Sequence, residues 1–405
     1  MSTQMTDRYI DLAERYSAHN YHPLPVVIER AQGVWVHDPE GHKYMDMLAA
    51  YSAVNQGHCH PKILAALKKQ AERVTLTSRA FHNDQFGPLC ELLHDMTGYD
   101  KALLMNSGAE AVETAIKMAR KWGYQKKGVA ADRAEIVVCA GNFHGRTTTI
   151  VGFSSDEQYQ EGFGPFTPGF KIIKYGDPAA LEAAITPNTV AFLVEPIQGE
   201  AGIIIPPDGY LKRCEEICRK NNVLLICDEI QSGLGRTGKL FAYEWEGVRP
   251  DALIVGKALS GGFYPVSGVL ANDDAMLVFH PGDHGSTFGG NPLGCAVAKA
   301  ALEVIRDEKL VENSQARGEQ LASALRALPQ DNVREIRARG LWIGIEIKRE
   351  CGSARPYCED LMSKGILAKE THEQVVRIAP PLVITKEEVD WAVERIAQAL
   401  AVNHG

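Results

Sequence analysis

The stretch from Val223 to Gly262 decides the fold and reads VLLICDEIQSGLGRTGKLFAYEWEGVRPDALIVGKALSGG. It contains two short apolar runs, Val223–Cys227 and Ala252–Val255, and fully buried strands of a parallel sheet have sequences of this kind. The first run ends on Asp228, and Lys257 follows the second run after one glycine. Ligands of open α/β sheets bind at the carboxyl ends of the strands. We therefore expect a carboxylate and a lysine to lie together at the ligand-binding edge of a sheet.

This pair of residues indicates a cofactor chemistry. A lysine amine on a turn next to glycine can form a Schiff base with an aldehyde cofactor. A carboxylate that faces a pyridine nitrogen keeps that nitrogen protonated, which lets pyridoxal phosphate act as an electron sink. The two residues alone leave a second interpretation open, in which Asp228 caps the next turn and Lys257 extends into solvent.

Apolar runs alternate with helix-like stretches from about residue 100, and this pattern predicts an α/β protein with a mostly parallel central sheet covered by helices. The runs are Ala102–Met105, Ile136–Ala140, Val190–Val194, Val223–Cys227, Ala252–Val255 and Val266–Leu270. After residue 300 we expect a smaller α+β part. Its predicted elements are the strands Leu341–Ile347 and Val375–Ile378 and the helix Lys386–Ala399. The predicted division of the chain is an N-terminal segment, 1–50, that packs with the small domain, a large cofactor-binding domain, 51–300, and a small C-terminal domain, 301–405.

Composition and charge exclude several classes of protein. The chain has 405 residues and a formal net charge of −8, whereas a protein whose main partner is nucleic acid needs a basic face. No stretch approaches the ~20 consecutive apolar residues of a membrane span. The N-terminus has no apolar targeting core, and the nine scattered cysteines form no CxxC pair, which predicts reduced thiols. We therefore expect a cytoplasmic protein that binds neither membrane nor nucleic acid.

Two motifs suggest functions that their surroundings do not support. The triplet His58-Cys59-His60 has no second ligand pair at zinc spacing, so we expect no metal site. Residues 233–238, GLGRTG, match the GxGxxG pattern of dinucleotide-binding folds. That fold requires a helix to begin at the glycines and an acidic residue ~20 positions later. The aromatic, loop-like stretch KLFAYEWEGVRPD follows instead, which argues against a dehydrogenase.

A helix start after residue 105 is a candidate phosphate site. Ser107 and Glu110 have the spacing of a capping box, and Gly108 lets the backbone approach a ligand. Amides at a helix N-terminus bind phosphate groups. A plain capped helix is the alternative at this position. Ser286 and Thr287, in the glycine-rich loop GDHGSTFGGNP, offer a second pair of hydroxyl groups.

Taken together, these motifs resemble the class III pyridoxal-phosphate-dependent aminotransferases of fold type I. The resemblance extends from about Tyr16 to Ala399. The motifs that carry it are HNYHPLP at His19–Pro25, YSAVNQGHCHP at Tyr51–Pro61, GNFHGRT at Gly141–Thr147, VEPIQGEAG at Val194–Gly202, CDEIQSGLGRTG at Cys227–Gly238, GKALSGG at Gly256–Gly262 and STFGGNPLG at Ser286–Gly294.

The resemblance implies a set of cofactor-binding residues. Lys257 would bond the cofactor and move the proton of the reaction, and Asp228 would pair with the pyridine nitrogen. The other expected contacts are Gln231 near the phenolic oxygen, Phe143 against the ring, and Gly108, Ala109 and Ser286 around the phosphate. Thr287 would reach the phosphate from the partner subunit, so the resemblance predicts a homodimer or a larger oligomer.

The resemblance also implies an activity, which is transfer of the δ-amino group of L-ornithine to 2-oxoglutarate. Arg146 would bind a substrate carboxylate, because its planar guanidinium makes bidentate bonds. Tyr21 and Tyr51 would contact ornithine, while Glu200 and Arg377 would form a switching pair. Three alternatives stay open: an aminotransferase for acetylornithine or 4-aminobutyrate, an aminomutase of the same fold, and a binding protein without catalysis.

Overall fold

The computed structural model describes residues 3–404. Met1, Ser2 and Gly405, which belong to the first and last predicted segments, lie outside the described residues. The longer helices are Thr3–Tyr16, Pro61–Ala71, Phe86–Thr97, Gly108–Trp122, Tyr210–Lys220, Pro292–Asp307, Leu310–Arg326, Ala354–Ser363 and Lys386–Leu400. Within residues 3–404, none of the helices combines the length and the apolarity that crossing a membrane requires.

A seven-stranded sheet lies at the centre of the fold. Its strands, in spatial order, are Lys101–Met105, Ser267–Ala271, Ala252–Val255, Leu224–Asp228, Thr189–Val194, Glu135–Cys139 and Phe170–Ile173. Neighbours pair in parallel from the third strand to the seventh, and Ser267–Ala271 is antiparallel to both of its neighbours. The prediction of a mostly parallel central sheet with covering helices is therefore confirmed.

Both faces of this sheet are buried, which is why its strands read as continuous apolar runs. Successive side chains of a strand point to opposite faces. Ile226 and Ile254 accordingly belong to the apolar cluster that contains the helix Gly108–Trp122. Cys227 and Val255, one position later, belong to the larger cluster on the other face. The ends of these strands are consequently held from both sides.

Two four-stranded sheets accompany the central one. The N-terminal sheet contains Arg30–Gln32, Trp35–His37 and Lys43–Asp46, and the short strand Ile366–Leu367 pairs in parallel with the last of these. The C-terminal sheet has the order Val333–Arg339, Trp342–Ile347, Val375–Ile378 and Lys369–Thr371. The N-terminal segment thus shares a sheet with the C-terminal part of the chain, while the division at residues 50 and 300 stays a prediction.

Candidate active site

Three neighbouring parallel strands end at one cavity. Glu195 follows the strand Thr189–Val194, Asp228 ends the next strand, and Lys257 follows the third after one glycine. Asp228 pairs in register with Ile254, three residues before Lys257. The cavity, which we call the lysine cavity, has a volume of about 200 Å³. It is lined by Gly108, Ala109, Phe143, His144, Gly145, Glu195, Ile197, Asp228, Ile230, Gln231, Ser232 and Lys257.

The helix Gly108–Trp122 begins at one end of the lysine cavity. The capping box is present, because the amide of Glu110 donates to Oγ of Ser107 over 3.2 Å and the amide of Ser107 donates to Oε2 of Glu110 over 2.7 Å. The amides of Gly108 and Ala109 lie in the first turn, where a helix offers no internal acceptor. A Cβ atom at Gly108 would lie 3.0 Å from Cδ1 of Ile230. This end of the cavity therefore suits a phosphate group.

Lys257 sits on a strained turn. Its φ angle is +45°, in the left-handed region that residues with a side chain rarely adopt, and it begins the short 3₁₀ turn Lys257–Ser260. Burial lowers the pKa of Lys257 below its ordinary value, although the negative charges of Glu200 and Asp228 oppose the shift. Strain of this kind is concentrated at functional sites.

Asp228 is buried and oriented by two hydrogen bonds. Its Oδ1 accepts from the amide of Ile230 over 3.0 Å, and its Oδ2 lies 2.7 Å from Nδ1 of His144. Burial alone would lower the pKa of His144, but the hydrogen bond to Asp228 and the charges of Asp228 and Glu195 raise it above its ordinary value. A buried carboxylate with a fixed direction is thus available at the end of the strand.

Glu195 and Ile230 were not predicted as site residues, although both line the lysine cavity. Oε2 of Glu195 accepts from the amide of Phe143 over 3.0 Å, and burial raises the pKa of Glu195 to about 7. The signal for Glu195 was present, since it follows a buried apolar run just as Asp228 does. Ile230 carried no such signal, because an apolar residue after a strand is common.

These features fit the predicted cofactor, pyridoxal phosphate. The lysine cavity offers an amine at Lys257, a buried carboxylate at Asp228 and first-turn amides at Gly108 and Ala109 that have no acceptor within their own helix. His144 is fully buried, and its Nε2 has no hydrogen-bond partner within residues 3–404. Pyridoxal phosphate has an aldehyde carbon for the amine, a ring nitrogen for the carboxylate and a phosphate for the amides.

A buried arginine forms a second cluster beside the cavity. Nη1 of Arg377 lies 3.0 Å from Oε1 of Glu200 and donates to Oε1 of Gln231 over 3.2 Å. Gln231 in turn donates to Oε1 of Glu200 over 3.1 Å. Arg377 is 1% exposed. Burial alone would raise the pKa of Glu200, but the charge and hydrogen bond of Arg377 lower it to about 2. Glu200 therefore stays ionised across the physiological range.

Tyr51 lies on an unusual left-handed turn. The turn consists of the four residues Ala49–Ser52, whose φ angles lie between 47° and 71°, and each such residue costs about 1–2 kcal/mol outside glycine. Oδ1 of Asp46 stabilises the turn by accepting from the amides of Leu48 and Ala49. The guanidinium carbon of Arg377 lies 5.3 Å from the centre of the Tyr51 ring. The turn thus brings this tyrosine to the Glu200–Arg377 pair.

Arg146 lies beside an outer recess of about 360 Å³ that shares Phe143 with the lysine cavity. Its guanidinium carbon is 4.0 Å from the ring centre of Tyr159 and 5.5 Å from that of Phe143. Among residues 3–404, no carboxylate forms an ion pair with Arg146. Glu200 also lines the outer recess. A substrate carboxylate could therefore bind this arginine.

Three more predicted site residues do not line the lysine cavity, in addition to Tyr51, Arg146, Glu200 and Arg377. Tyr21 is 78% exposed. The pKa of Tyr51 is raised first by burial, then by the charge of Glu200, and also by Tyr21, so the two tyrosines lie near each other. Oγ of Ser286 accepts from Nδ2 of Asn106 over 2.9 Å, just before the capped helix. Thr287 is exposed. Contact of Thr287 with a cofactor in a partner subunit stays a prediction.

Comparisons with known proteins agree over nearly the whole chain. The family model of the class-III aminotransferases matches residues 16–400. An ornithine aminotransferase of Brevibacillus brevis is 60% identical over 397 residues, 98% of this chain and 99% of the relative. A structure of the ornithine aminotransferase of Toxoplasma gondii, described with partial occupancy of PLP at its active site, has a TM-score of 0.97 at 47% identity and covers 99% of this chain and 95% of that chain. The acetylornithine aminotransferase of Elizabethkingia anophelis has a TM-score of 0.89 at 49% identity and covers 98% and 99%.

Proposed function

This chain belongs to the class-III aminotransferases, and we propose that it transfers the δ-amino group of L-ornithine to 2-oxoglutarate, which gives glutamate 5-semialdehyde and glutamate. The relatives include enzymes for ornithine and for acetylornithine. The choice of donor therefore has to be argued from the side chains of this chain.

The cofactor is pyridoxal 5′-phosphate, and when bound it supplies the electron sink for amine transfer. Lys257 would hold its aldehyde carbon, and Asp228 would hold a proton on its pyridine nitrogen. The remaining contacts would come from Gly108 and Ala109 to the phosphate, from Gln231 to the phenolic oxygen, and from Phe143 and Ile230 to the ring.

Lys257 has a second task, which is to move a proton. Because burial lowers its pKa, a larger fraction of its amine is neutral at a given pH than in an exposed lysine. A neutral amine can take the proton from the carbon that bears the reacting amine. The same group can return a proton in the second half-reaction, when 2-oxoglutarate receives the amine.

The Glu200–Arg377 ion pair is the observation that carries the proposal. Ornithine has an α-amine and a δ-amine, and an arginine free to bind its α-carboxylate beside Lys257 would present the α-amine. Oε1 of Glu200 lies 3.0 Å from the Arg377 guanidinium, so the arginine is occupied when ornithine arrives. The α-carboxylate would then bind Arg146, with Tyr21 and Tyr51 beside it, and the δ-amine would reach the reacting carbon.

The second substrate needs the opposite arrangement. Glutamate forms from 2-oxoglutarate only if a carboxylate is held next to the reacting carbon. The carboxylate adjacent to the oxo group of 2-oxoglutarate would displace Glu200 from Arg377, and the distant carboxylate would bind Arg146. Gln231, which bonds both members of the pair, would keep one hydrogen bond to each when they separate.

We also propose that the enzyme works as a homodimer. Thr287 is exposed in the single chain, as are its neighbours Gly285 and Phe288. Thr287 does not line the lysine cavity of its own chain, so its hydroxyl would serve the phosphate of another subunit. The cytoplasmic location stays a sequence-based prediction.

An amine-donor screen tests the function. The purified protein should turn over L-ornithine with 2-oxoglutarate and yield glutamate 5-semialdehyde. The 49% identity to an acetylornithine aminotransferase makes N-acetylornithine the second candidate donor, and 4-aminobutyrate completes the screen. A higher kcat/KM for N-acetylornithine than for ornithine would overturn the proposal. Product formed without any oxo acid would identify an aminomutase.

A further inference from the structure

Tyr21 lies on a segment without helix or strand. Residues 17–29 connect the first helix to the first strand in an irregular path, and Tyr21 itself is 78% exposed. A side chain on such a segment contributes to recognition only if something fixes the backbone that carries it. The chain offers a residue for that purpose in its C-terminal part.

Arg355 binds the backbone of this segment. Its Nη1 donates to the carbonyl of His22 over 3.1 Å, and its Nη2 donates to the carbonyl of Pro23 over 3.0 Å. The two acceptors follow Tyr21 directly in the sequence. More than 300 residues separate Arg355 from them, so the contact fixes the segment to the helix Ala354–Ser363.

Two carboxylates hold the guanidinium in place. Nε of Arg355 donates to Oε1 of Glu359 over 2.7 Å, and Nη1 lies 3.3 Å from Oε1 of Glu370. The Arg355 side chain is 17% exposed. Glu370 also acts on Tyr51. Burial raises the pKa of Tyr51, and the negative charges of Glu200 and, more weakly, Glu370 raise it further. The anchor of the Tyr21 segment is therefore connected to the surroundings of the second tyrosine.

We infer that Arg355 is a positioning residue for the amino-acid donor, which clamps the carbonyls of His22 and Pro23 and so fixes Tyr21 at the mouth of the site. The inference rests on the proposed function, in which Tyr21 contacts ornithine. Arginine is required because its planar fork can bind two carbonyls and two carboxylates at once. A lysine at this position keeps the charge but has no fork.

The first experiment measures the clamp itself and needs no donor. Chymotrypsin cleaves after exposed tyrosines, and cleavage follows the population of the open segment. We expect Arg355→Gln to raise the rate of cleavage after Tyr21 in the holoenzyme, measured by mass spectrometry. Arg334→Gln is the matched control, since Arg334 is 67% exposed and its ion pair is with Glu346. An unchanged rate in Arg355→Gln would overturn the clamp.

The second experiment measures the effect on the donor. Arg355→Gln should raise KM for ornithine about tenfold, the equivalent of one charge-assisted hydrogen bond, and should leave kcat nearly unchanged. Arg355→Lys should restore only part of the loss, and Arg334→Gln should match the wild type. A purely structural defect would instead lower kcat and thermal stability together, which would overturn the role.

A double-mutant cycle tests whether Arg355 acts through Tyr21. In a Tyr21→Ala background, Arg355→Gln should add no further increase in KM, because the side chain that it positions is gone. Additive effects would overturn the inference. If the wild type does not use ornithine at all, the proposed function fails, while the cleavage measurement still decides whether Arg355 clamps the segment.

Discussion

Nδ1 of His144 donates a hydrogen bond to Oδ2 of Asp228 over 2.7 Å, and both side chains are buried. A buried carboxylate is costly unless it is paired. His144 supplies that partner and fixes the direction of the carboxylate. Asp228 is thus held toward the lysine cavity by the protein itself, so its orientation does not depend on a bound cofactor.

Asp228→Asn should leave the fold intact and remove the negative charge. An amide cannot keep a proton on a pyridine nitrogen, so we expect kcat to fall ~10²-fold or more, as it does when other electrostatic partners are removed. The measurements are kcat and the melting temperature of the holoenzyme. Near-normal turnover in the variant would exclude this role for Asp228.

Borohydride reduction tests the assignment of Lys257. The reduced holoenzyme should carry the cofactor on a single peptide that contains Lys257, because this amine lies in the cavity beside Asp228. Lys257→Ala should lose turnover. Lys239→Ala serves as the control, since Lys239 is exposed beside Trp245. Attachment of the cofactor to any other peptide would refute the assignment.

Local sequence patterns predicted six of the seven strands of the central sheet and missed the edge strand Phe170–Ile173. The predicted run Ala252–Val255 is a strand with the same bounds, and Val223–Cys227 differs from the observed strand by one residue at each end. In the C-terminal sheet, the edge strand Val333–Arg339 was not predicted. Its sequence VREIRAR mixes charged and apolar residues, and most of the strand is only half-buried. The antiparallel direction of the strand Ser267–Ala271 was not predictable either. Contacts between distant parts of the chain decide which strands become neighbours and in which direction they run.

The same limit applies to the site. Chain order alone placed Asp228 and Lys257 at one edge, because parallel strands end together. The His144–Asp228 hydrogen bond joins residues 84 positions apart, and no local pattern indicates it. The left-handed turn Ala49–Ser52 contains neither glycine nor asparagine. Tertiary contacts such as the Asp46 cap hold it against the preference of its sequence.

The buried acid Glu229 predicts a pH dependence of stability. Burial raises its pKa from 4.5 to about 7, although its hydrogen bonds from Oγ of Ser232 and the amide of Tyr243 oppose the shift. Between these values the folded state binds more protons than the unfolded state, so stability falls as the pH rises from about 4.5 to about 7. The full contribution of Glu229 is present below about pH 4.5, and roughly 3 kcal/mol is lost through the window.

Glu229→Gln should make the free energy of unfolding less dependent on pH in this window. Urea unfolding at a series of pH values measures the effect, and Glu216→Gln is the control because Glu216 is exposed. Part of the pH dependence of the unfolding free energy should remain in the Glu229→Gln variant, because the pKa of Glu195 is also raised to about 7. An unchanged slope would show that Glu229 is ionised in the folded protein.

Dimerisation should be required for activity if Thr287 serves the partner subunit. Sedimentation at low protein concentration should show a dimer or a larger oligomer. Thr287→Ala should weaken cofactor binding, measured by the loss of cofactor absorbance on dialysis, with the oligomer intact. Thr148→Ala is the control, since Thr148 is an exposed threonine on a helix outside the glycine-rich loop. A fully active monomer would contradict the prediction.

The Glu200–Arg377 pair predicts which nitrogen of ornithine reacts. With the pair closed, the α-carboxylate cannot bind Arg377, and the δ-amine is presented. Glu200→Ala leaves Arg377 with Gln231 and the carbonyl of Gly199 as acceptors, and neither carries a charge. The guanidinium would then bind the α-carboxylate of ornithine, because a charged acceptor is the stronger partner. A static pair that only braces the wall is the alternative.

The measurement is the ratio of glutamate 5-semialdehyde to 2-oxo-5-aminopentanoate formed from ornithine. Glu200→Ala should lower this ratio, while the wild type should form almost only the semialdehyde. Glu200→Gln is the matched variant, because it keeps a hydrogen-bond acceptor for Arg377 without the charge, and we expect a ratio between the two. An unchanged ratio in a Glu200→Ala variant that still turns over would mean that the pair is a static brace. The charge of Glu200, and not the shape of the wall, is thus the property that the series tests.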